Sequence, residues 1–255
     1  MAIGVVSRAA RNGGLVVLAG AGVSMAAPAS LPGWLELNRM VLGALMQRLG
    51  EYTERQAELE QLLGLLIKRR DEQRVFPPEY QAQVMEEQIG LDYFHALQAL
   101  DVPQRNAAHE TLAALAAAGY VAAIVTTNFD RLIEGALESR GVPHRVCIEP
   151  DGYRALADAL ASAQTGPLPV VKIHGSVEDA ASLVDTLRQR LRGRGPALAA
   201  ALRPLLARHH WVYCGFSGAD LDFDPEYLGL RAAAAASPDK DSRPPVSTPH
   251  PPRRG

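Results

Sequence analysis

Short apolar runs alternate with helical patterns along most of the chain. The apolar runs at 15–19 and 121–125 are typical of strands buried on both faces. Further strands are predicted at 169–173 and 211–214, and a weaker one at 144–148. Amphipathic or alanine-rich patterns predict helices at 3–12, 107–118, 129–139, 153–163, 183–191 and 197–207. This alternation predicts an α/β fold, a Rossmann-like parallel sheet with helices on both faces.

The stretch between the first two predicted strands has a helical pattern only. Apolar residues at helical spacing predict helices over 34–49, 54–70 and 79–100. We therefore expect residues 34–100 to be a helical insertion, or cap, after the first strand. Residues 1–33 and 101–236 would together form the Rossmann-like domain that carries this insertion. The proline-rich residues 237–255 are predicted to be disordered.

Composition excludes several classes of protein. Hydrophobic residues make up 47% of the 255 residues, which is enough for a sizeable core. The net charge of −2 gives no reason to expect a nucleic acid or an anionic membrane as partner. The only two cysteines, Cys147 and Cys214, cannot form a disulfide framework or a four-cysteine zinc site, so no metal site is predicted.

The N-terminus allows two interpretations. Arg8 and Arg11 followed by the apolar run 15–23 resemble a secretory signal peptide. Gly20 and Gly22 interrupt that run, however, and no stretch reaches the ~20 apolar residues of a membrane helix. We therefore expect a cytoplasmic protein without a membrane span.

A glycine pair follows the first predicted strand. Gly20 and Gly22 would allow a sharp turn and a close approach of a ligand to bare backbone. A helix beginning near Ser24 would direct free N–H groups at the same point and favour an anion such as a pyrophosphate. Met25 stands where a dinucleotide-binding fingerprint has its third glycine, so a turn without a ligand stays an alternative.

Three other strand ends also carry small or polar residues. They are Thr126 to Asp130, His174 to Ser176, and Gly215 to Asp220. Ligands of open parallel sheets bind beyond the carboxyl ends of the strands, so we expect one shared crevice. Each residue also has a structural alternative: Asn128 as a helix cap, His174 as a core histidine and Gly215 as a turn residue.

These motifs resemble those of the sirtuins, and more closely those of bacterial relatives that hydrolyse NAD. Gly-Ala-Gly-Val-Ser at 20–24 is similar to the phosphate-binding turn, and 106–115 resembles the helix before the second strand. Thr-Thr-Asn-Phe-Asp at 126–130 is similar to the family's Thr-Gln-Asn-Ile-Asp. Lys-Ile-His-Gly-Ser at 172–176 resembles the segment that bears the family's catalytic histidine. Gly-Phe-Ser-Gly-Ala-Asp at 215–220 resembles the family's later Gly-Ser loop, which meets the ribose. The resemblance covers about 13–230 apart from the insertion.

The chain also departs from the family pattern. Sirtuin deacylases carry four zinc cysteines, and this chain has two cysteines in all. Ser30-Leu-Pro-Gly-Trp34 stands in place of the family's Gly-Ile-Pro-Asp-Phe-Arg, so an acyl-peptide groove is not expected. Where a further strand would follow the Gly-Ser loop, 232–236 leads into the proline-rich tail. We therefore hypothesise a truncation or frameshift after about Ser237, which the coding DNA would reveal.

The resemblance implies roles for ten residues. His174 would act as a base on a ribose hydroxyl or a water, and Asn128 would hold that hydroxyl and the water. Asp130 would orient the nicotinamide amide or balance charge, and its structural alternative is a carboxylate in the first turn of a helix. Ser217 would meet the adenosine ribose. The remaining NAD-binding residues are Gly20, Ala21, Gly22, Ser24, Thr127 and Gly215.

The function predicted from these residues is hydrolysis of NAD, as substrate, to nicotinamide and ADP-ribose. The resemblance further implies an effector of anti-phage defence that works as a homo-oligomer or with a partner effector or sensor domain. Two alternatives stay open: an NAD-dependent protein deacylase, and a non-catalytic sensor of NAD or ADP-ribose.

Overall fold

A five-stranded, fully parallel sheet forms the centre of the molecule. The computed structural model describes residues 2–11, 14–50, 77–162, 165–192 and 195–218. The strand order is β3-β4-β2-β1-β5. The strands are β1 (Leu15–Ala19), β2 (Val121–Thr126), β3 (His144–Cys147), β4 (Leu168–Lys172) and β5 (His210–Cys214). Each lies within one residue of its predicted bounds, and the predicted α/β Rossmann-like fold is confirmed.

Helices cover both faces of the sheet. The helices of the described residues are α1 (Ala2–Arg11), α2 (Trp34–Gly50), α3 (Pro78–Ile89), α4 (Asp92–Ala96), α5 (Ala107–Ala117), α6 (Leu132–Ser139), α7 (Pro150–Ala161), α8 (Leu187–Leu191) and α9 (Pro196–Arg208). On one face Val16 and Leu18 pack with α7 and α9. On the other face Val17 and Ala19 pack with α5 and α6. Successive β1 residues thus serve opposite cores, which explains its unbroken apolar run.

Helices α2 to α4 lie between β1 and β2 in the chain and pack around a separate apolar cluster. Tyr93 and Leu97 are fully buried there beside Phe129 and Leu183 from the sheet-end loops. The interpretation of 34–100 as an inserted cap stays a prediction. The helix expected at 54–70 and the tail at 237–255 lie outside the described residues. Within the described residues, no helix has the length and apolarity that a membrane span needs.

Three predicted helices differ from the structure. The helix expected over 183–191 begins only at Leu187, because Thr186 caps it. The helix expected over 79–100 is broken at Gly90, whose φ of +61° is incompatible with a continuing helix, and it ends in a 3₁₀ turn at Leu97–Leu100. No α-helix begins near Ser24, because the chain instead makes a 3₁₀ turn at Ala21–Val23. The next helix starts only at Trp34.

Glycines allow the loops after β1 and β5 to touch through their backbones. The Gly22 N–H donates to the Gly215 carbonyl at 2.9 Å. A Cβ atom on Gly22 would lie 2.8 Å from Gly215 Cα, and one on Gly215 would lie 2.4 Å from the Val23 nitrogen. The bare faces of these glycines are thus used for contact between two strand-end loops.

Gly215→Ala is therefore expected to lower the free energy of unfolding by at least about 2 kcal/mol. The alanine would be held at a φ of +61° and would clash with backbone. Gly43→Ala within α2 is the matched control, since nothing lies within 4 Å of its added Cβ. The control should be neutral or stabilise by up to about 1 kcal/mol. Urea unfolding of both variants checks this, and equal effects would contradict the account.

Candidate functional site

A cavity of about 470 Å³ lies at the carboxyl ends of four neighbouring strands, β4, β2, β1 and β5. Loops from all four strands line it, and Trp34 and Leu37 of α2 close its other side. Nine of the ten residues predicted for the site line it: Ala21, Gly22, Ser24, Thr127, Asn128, Asp130, His174, Gly215 and Ser217. The tenth, Gly20, lies at the end of β1 and donates its N–H to the Cys214 carbonyl at 2.9 Å.

A larger groove of about 800 Å³ lies between α1, α5 and the sheet. Its walls are mainly apolar, with Leu15, Val17 and Leu112 among them. It contains none of the ten predicted site residues. A site for a polar nucleotide needs convergent polar groups, so we place the functional site in the smaller cavity.

Asp130 is the centre of a buried hydrogen-bond network. Its Oδ2 accepts from Ser24 Oγ at 2.9 Å and from Asn128 Nδ2 at 3.2 Å. Its Oδ1 accepts from the Leu132 backbone N–H at 3.0 Å, at the start of α6. Both carboxylate oxygens are thus occupied by protein donors. This places Asp130 where it orients its neighbours, and its predicted contact with a nicotinamide amide stays a prediction.

His109 extends this network from α5. The Asn106 N–H donates to His109 Nδ1 at 3.2 Å, so the other ring nitrogen carries the proton and donates to Ser24 Oγ at 3.1 Å. Burial lowers the pKa of His109 and keeps the ring neutral. The interpretation of His109 as structural agrees with this geometry, because the ring holds the Ser24 hydroxyl in place.

The network leaves one acceptor of a cavity-lining residue without a protein partner among the described residues. Asn128 Nδ2 donates to Ser24 Oγ at 3.1 Å as well as to Asp130, so the donors of this amide are engaged. Asn128 Oδ1 is buried and has no hydrogen-bond partner among the described residues. Ser24 Oγ donates one bond and accepts two, so a direct contact with pyrophosphate would displace a protein partner. Asn128 is therefore suited to accept a hydrogen bond from a ligand hydroxyl.

His174 lies after β4 and contacts a cation. The Arg190 guanidinium lies 3.3 Å from His174 Nδ1, and Arg190 also stacks on the Trp34 ring at 4.1 Å. A guanidinium can only donate, so Nδ1 accepts and a neutral ring carries its proton on the other nitrogen. Gly175 turns the chain behind the histidine with a φ of +83°, where a Cβ would lie 2.2 Å from the Ser182 carbonyl oxygen.

Lys172 is a buried residue that the sequence reasoning missed. Its side chain is fully buried, and its ammonium group contacts Glu134 Oε1 at 2.8 Å. The same group donates to the backbone carbonyls of Asp130 at 2.5 Å and Phe129 at 3.3 Å. Lys172 thus ties the loop that carries Asn128 to the strand that leads to His174. A lysine between Val171 and Ile173 in an apolar run was the available signal.

Asp185 and Tyr93 form a second feature that the sequence reasoning missed. The Tyr93 hydroxyl donates a short hydrogen bond to Asp185 Oδ2, and both side chains are fully buried. Burial raises the pKa of Asp185 from 3.8 to about 6, and Glu79 acts in the same direction. The Tyr93 hydrogen bond and the Arg190 charge act against this increase. Asp185 lines the same cavity.

This raised pKa predicts a pH-dependent stability. Between about pH 4 and pH 6 the folded protein holds a proton on Asp185 that the unfolded chain has released. The contribution of Asp185 to stability is therefore present below pH 4 and lost as the pH rises through about 6. The stability of the wild type minus that of Asp185→Asn should fall by about 2–3 kcal/mol between pH 4 and pH 7.5.

Urea unfolding across this pH range measures that difference. Asp158→Asn, the same change at an exposed residue of α7, should give a difference that stays flat. A difference for Asp185→Asn that is flat or increases with pH would contradict the assignment.

The fold and the cavity define the class of protein. A parallel sheet with a glycine turn after β1 and polar loops at the adjacent strand ends is the arrangement of Rossmann-like nucleotide-binding domains. The model of the SIR2-like domain family matches residues 122–249, which is half of the chain. The chain belongs to the SIR2-like family, and the predicted sirtuin-like membership is confirmed at that level. None of the curated proteins compared with the chain matches it.

Family membership indicates an NAD-related function in general terms, since SIR2-like domains bind NAD. Across the parts of the chain that the structure describes, no group of three or more His, Cys, Asp or Glu residues could hold a metal ion.

Proposed function

We propose that this protein hydrolyses NAD to nicotinamide and ADP-ribose. The observation that carries the proposal is the convergence of Asn128, His174 and the glycine turn on one cavity. Asn128 Oδ1 provides a buried acceptor with no protein partner among the described residues. Such an acceptor fits a ribose hydroxyl, and the cavity size lies in the range of small-molecule sites.

The chemistry needs few functional groups. The bond from ribose C1′ to the pyridinium nitrogen breaks, and its electron pair neutralises nicotinamide, so the leaving group needs no acid. The ribose develops oxocarbenium character, and a water adds to C1′ and loses a proton. An enzyme accelerates this by positioning the ribose and the water and by accepting that proton.

The residues of the cavity divide these tasks. Asn128 holds a ribose hydroxyl through Oδ1, and Asp130 keeps the amide in that orientation. His174 accepts the proton that the attacking water loses. In the structure Arg190 occupies Nδ1, the nitrogen that accepts. This contact must therefore open when the substrate binds. The loops at 20–22 and 215–217 take the phosphates and the adenosine ribose.

Chromatography of NAD after incubation with the full chain tests the proposal. The wild type should release nicotinamide and ADP-ribose in equal amounts, and Asn128→Ala should lower the rate at least about 100-fold. Release of nicotinamide only with an acyl-lysine peptide would identify a deacylase. Heat stabilisation by NAD without turnover would identify a sensor. Either result would overturn the hydrolase proposal.

We also propose the biological setting that the family resemblance implies. The protein acts in the cytoplasm as an effector of anti-phage defence, as a homo-oligomer or with a partner effector or sensor domain. Cells that express the wild type should lose NAD after phage infection, and cells that express Asn128→Ala should keep it. Unchanged NAD in infected wild-type cells would contradict this role.

A further inference from the structure

A charged crevice of about 400 Å³ lies between α6, the start of β3 and the loops that precede α5 and follow β4. It shares no lining residue with the cavity of about 470 Å³, and its volume lies in the range of small-molecule sites. Four carboxylates and two guanidinium groups line it: Asp101, Glu134, Glu138, Glu178, Arg105 and Arg131. The pairing of these charges decides which kind of ligand the crevice can hold.

Carboxylates already neutralise both guanidinium groups. Arg131 contacts Asp101 at 3.0 Å and Glu178 at 3.4 Å. Arg105 contacts Glu110 at 3.1 Å. An anionic ligand would have to break these ion pairs, and a cationic ligand would leave them in place.

Glu134 supplies a buried acceptor at the crevice. Its side chain is 7% exposed, and its Oε1 contacts the Lys172 ammonium group at 2.8 Å. Its Oε2 is buried and has no hydrogen-bond partner among the described residues. A buried carboxylate oxygen without a donor costs free energy, and a ligand that donates to it would regain that energy.

Glu138 supplies a second negative charge. It lies one turn further along α6, lines the same crevice and forms no ion pair within the described part of the chain. Residues four apart on a helix share one face, with their Cβ atoms about 5–6 Å apart. Glu134 and Glu138 thus present two carboxylates at a short and defined spacing.

We infer that this crevice binds a small aliphatic diamine. One ammonium group donates to Glu134 Oε2, and the second pairs with Glu138. An ammonium group fits Oε2 better than a guanidinium does, because a guanidinium prefers both oxygens of a carboxylate and Lys172 already holds one. A four-carbon diamine spans the distance between the two carboxylates.

The ligand would lie beside the ion pair that anchors the loop with Asn128. Lys172 donates to the backbone carbonyls of Asp130 at 2.5 Å and Phe129 at 3.3 Å. A cation on Glu134 Oε2 therefore binds the folded protein and not the unfolded chain, in which this arrangement is lost. Binding should raise the melting temperature in proportion to ligand concentration.

Calorimetry of the full chain with putrescine, a four-carbon diamine, tests the inference in the absence of NAD. One putrescine should bind per chain with a Kd below about 1 mM. Butylamine, which has one ammonium group, should bind about two- to fivefold more weakly because it cannot pair with Glu138. Tetramethylammonium at the same ionic strength is the matched probe, and it should not bind because it has a charge but no N–H to donate.

Two variants locate the two ammonium groups. Glu138→Gln, at an exposed position of α6, should remove the advantage of putrescine over butylamine. The double variant Lys172→Met with Glu134→Leu removes Oε2 together with the cation beside it, and it should bind putrescine at least about 10-fold more weakly. Asp158→Asn removes a carboxylate from the exposed face of α7 and is the control that should keep both Kd values.

Three results would overturn the inference. They are the absence of saturable putrescine binding to the wild type, tetramethylammonium binding as tight as that of putrescine, and an unchanged Kd in the folded double variant. An unchanged ratio of putrescine to butylamine affinity in Glu138→Gln would overturn the placement of the second ammonium group. All of these measurements omit NAD, so their failure is distinct from a failure of the proposed hydrolysis.

Discussion

His174→Ala should lower the rate of nicotinamide release from NAD by about 10²–10⁴-fold, the usual contribution of a positioned base. His174 is buried in the same cavity as Asn128, at the end of the strand next to β2. Removal of the imidazole leaves the attacking water without a proton acceptor. The glycine turn and the loop after β5 stay in place, and hydrolysis rather than binding depends on the base. The Kd for NAD should therefore change by less than about fivefold.

His95→Ala provides the matched control. His95 lies on the exposed surface of α4, with 57% of its side chain accessible. It lines neither the cavity of about 470 Å³ nor the apolar groove between α1 and α5. The control should keep the wild-type rate. Single-turnover kinetics and calorimetry measure the rate and the Kd separately. A folded His174→Ala protein with the wild-type rate would remove His174 from the mechanism.

Lys172→Met should lower the free energy of unfolding by about 3–5 kcal/mol. The change leaves the Glu134 carboxylate buried without its cation and deprives the carbonyls of Asp130 and Phe129 of a donor. The loop that carries Asn128 is attached to this ammonium group. NAD turnover should therefore fall even at temperatures where the variant stays folded.

A double-mutant cycle measures the interaction directly. Glu134→Leu alone should also destabilise, because it leaves the ammonium unpaired in the interior. The double variant Lys172→Met with Glu134→Leu removes both charges and should be more stable than either single variant, with a coupling energy of at least about 2 kcal/mol. Urea unfolding at one pH gives all four values. Additive losses would show that the two charges do not interact.

The strands β1 and β2 were predictable because both are buried on both faces. Val16 and Leu18 face one helical layer and Val17 and Ala19 the other, so a continuous apolar run was the only pattern that such a strand could carry. The helix over 79–100 was predicted too long, because a glycine within an apolar repeat does not show in sequence whether its φ is positive. At Gly90 it is.

The site was predictable in position and less so in chemistry. Strand ends meet at one edge of a parallel sheet, so motifs far apart in the chain could be placed together. The partners of each group depend on tertiary contacts such as Ser24 with His109, which lie 85 residues apart. Asp185 escaped notice because its role comes from burial, which the sequence does not show. For Lys172 the sequence did carry a signal, a lysine within an apolar run.

The crystal structure of His174→Ala with NAD bound tests the central claim most directly. We predict that the nicotinamide ribose lies within about 3.2 Å of Asn128 Oδ1, with the phosphates beside Gly22 and Ser217. NAD bound in the apolar groove between α1 and α5, or a ribose that points away from Asn128 and position 174, would contradict the account.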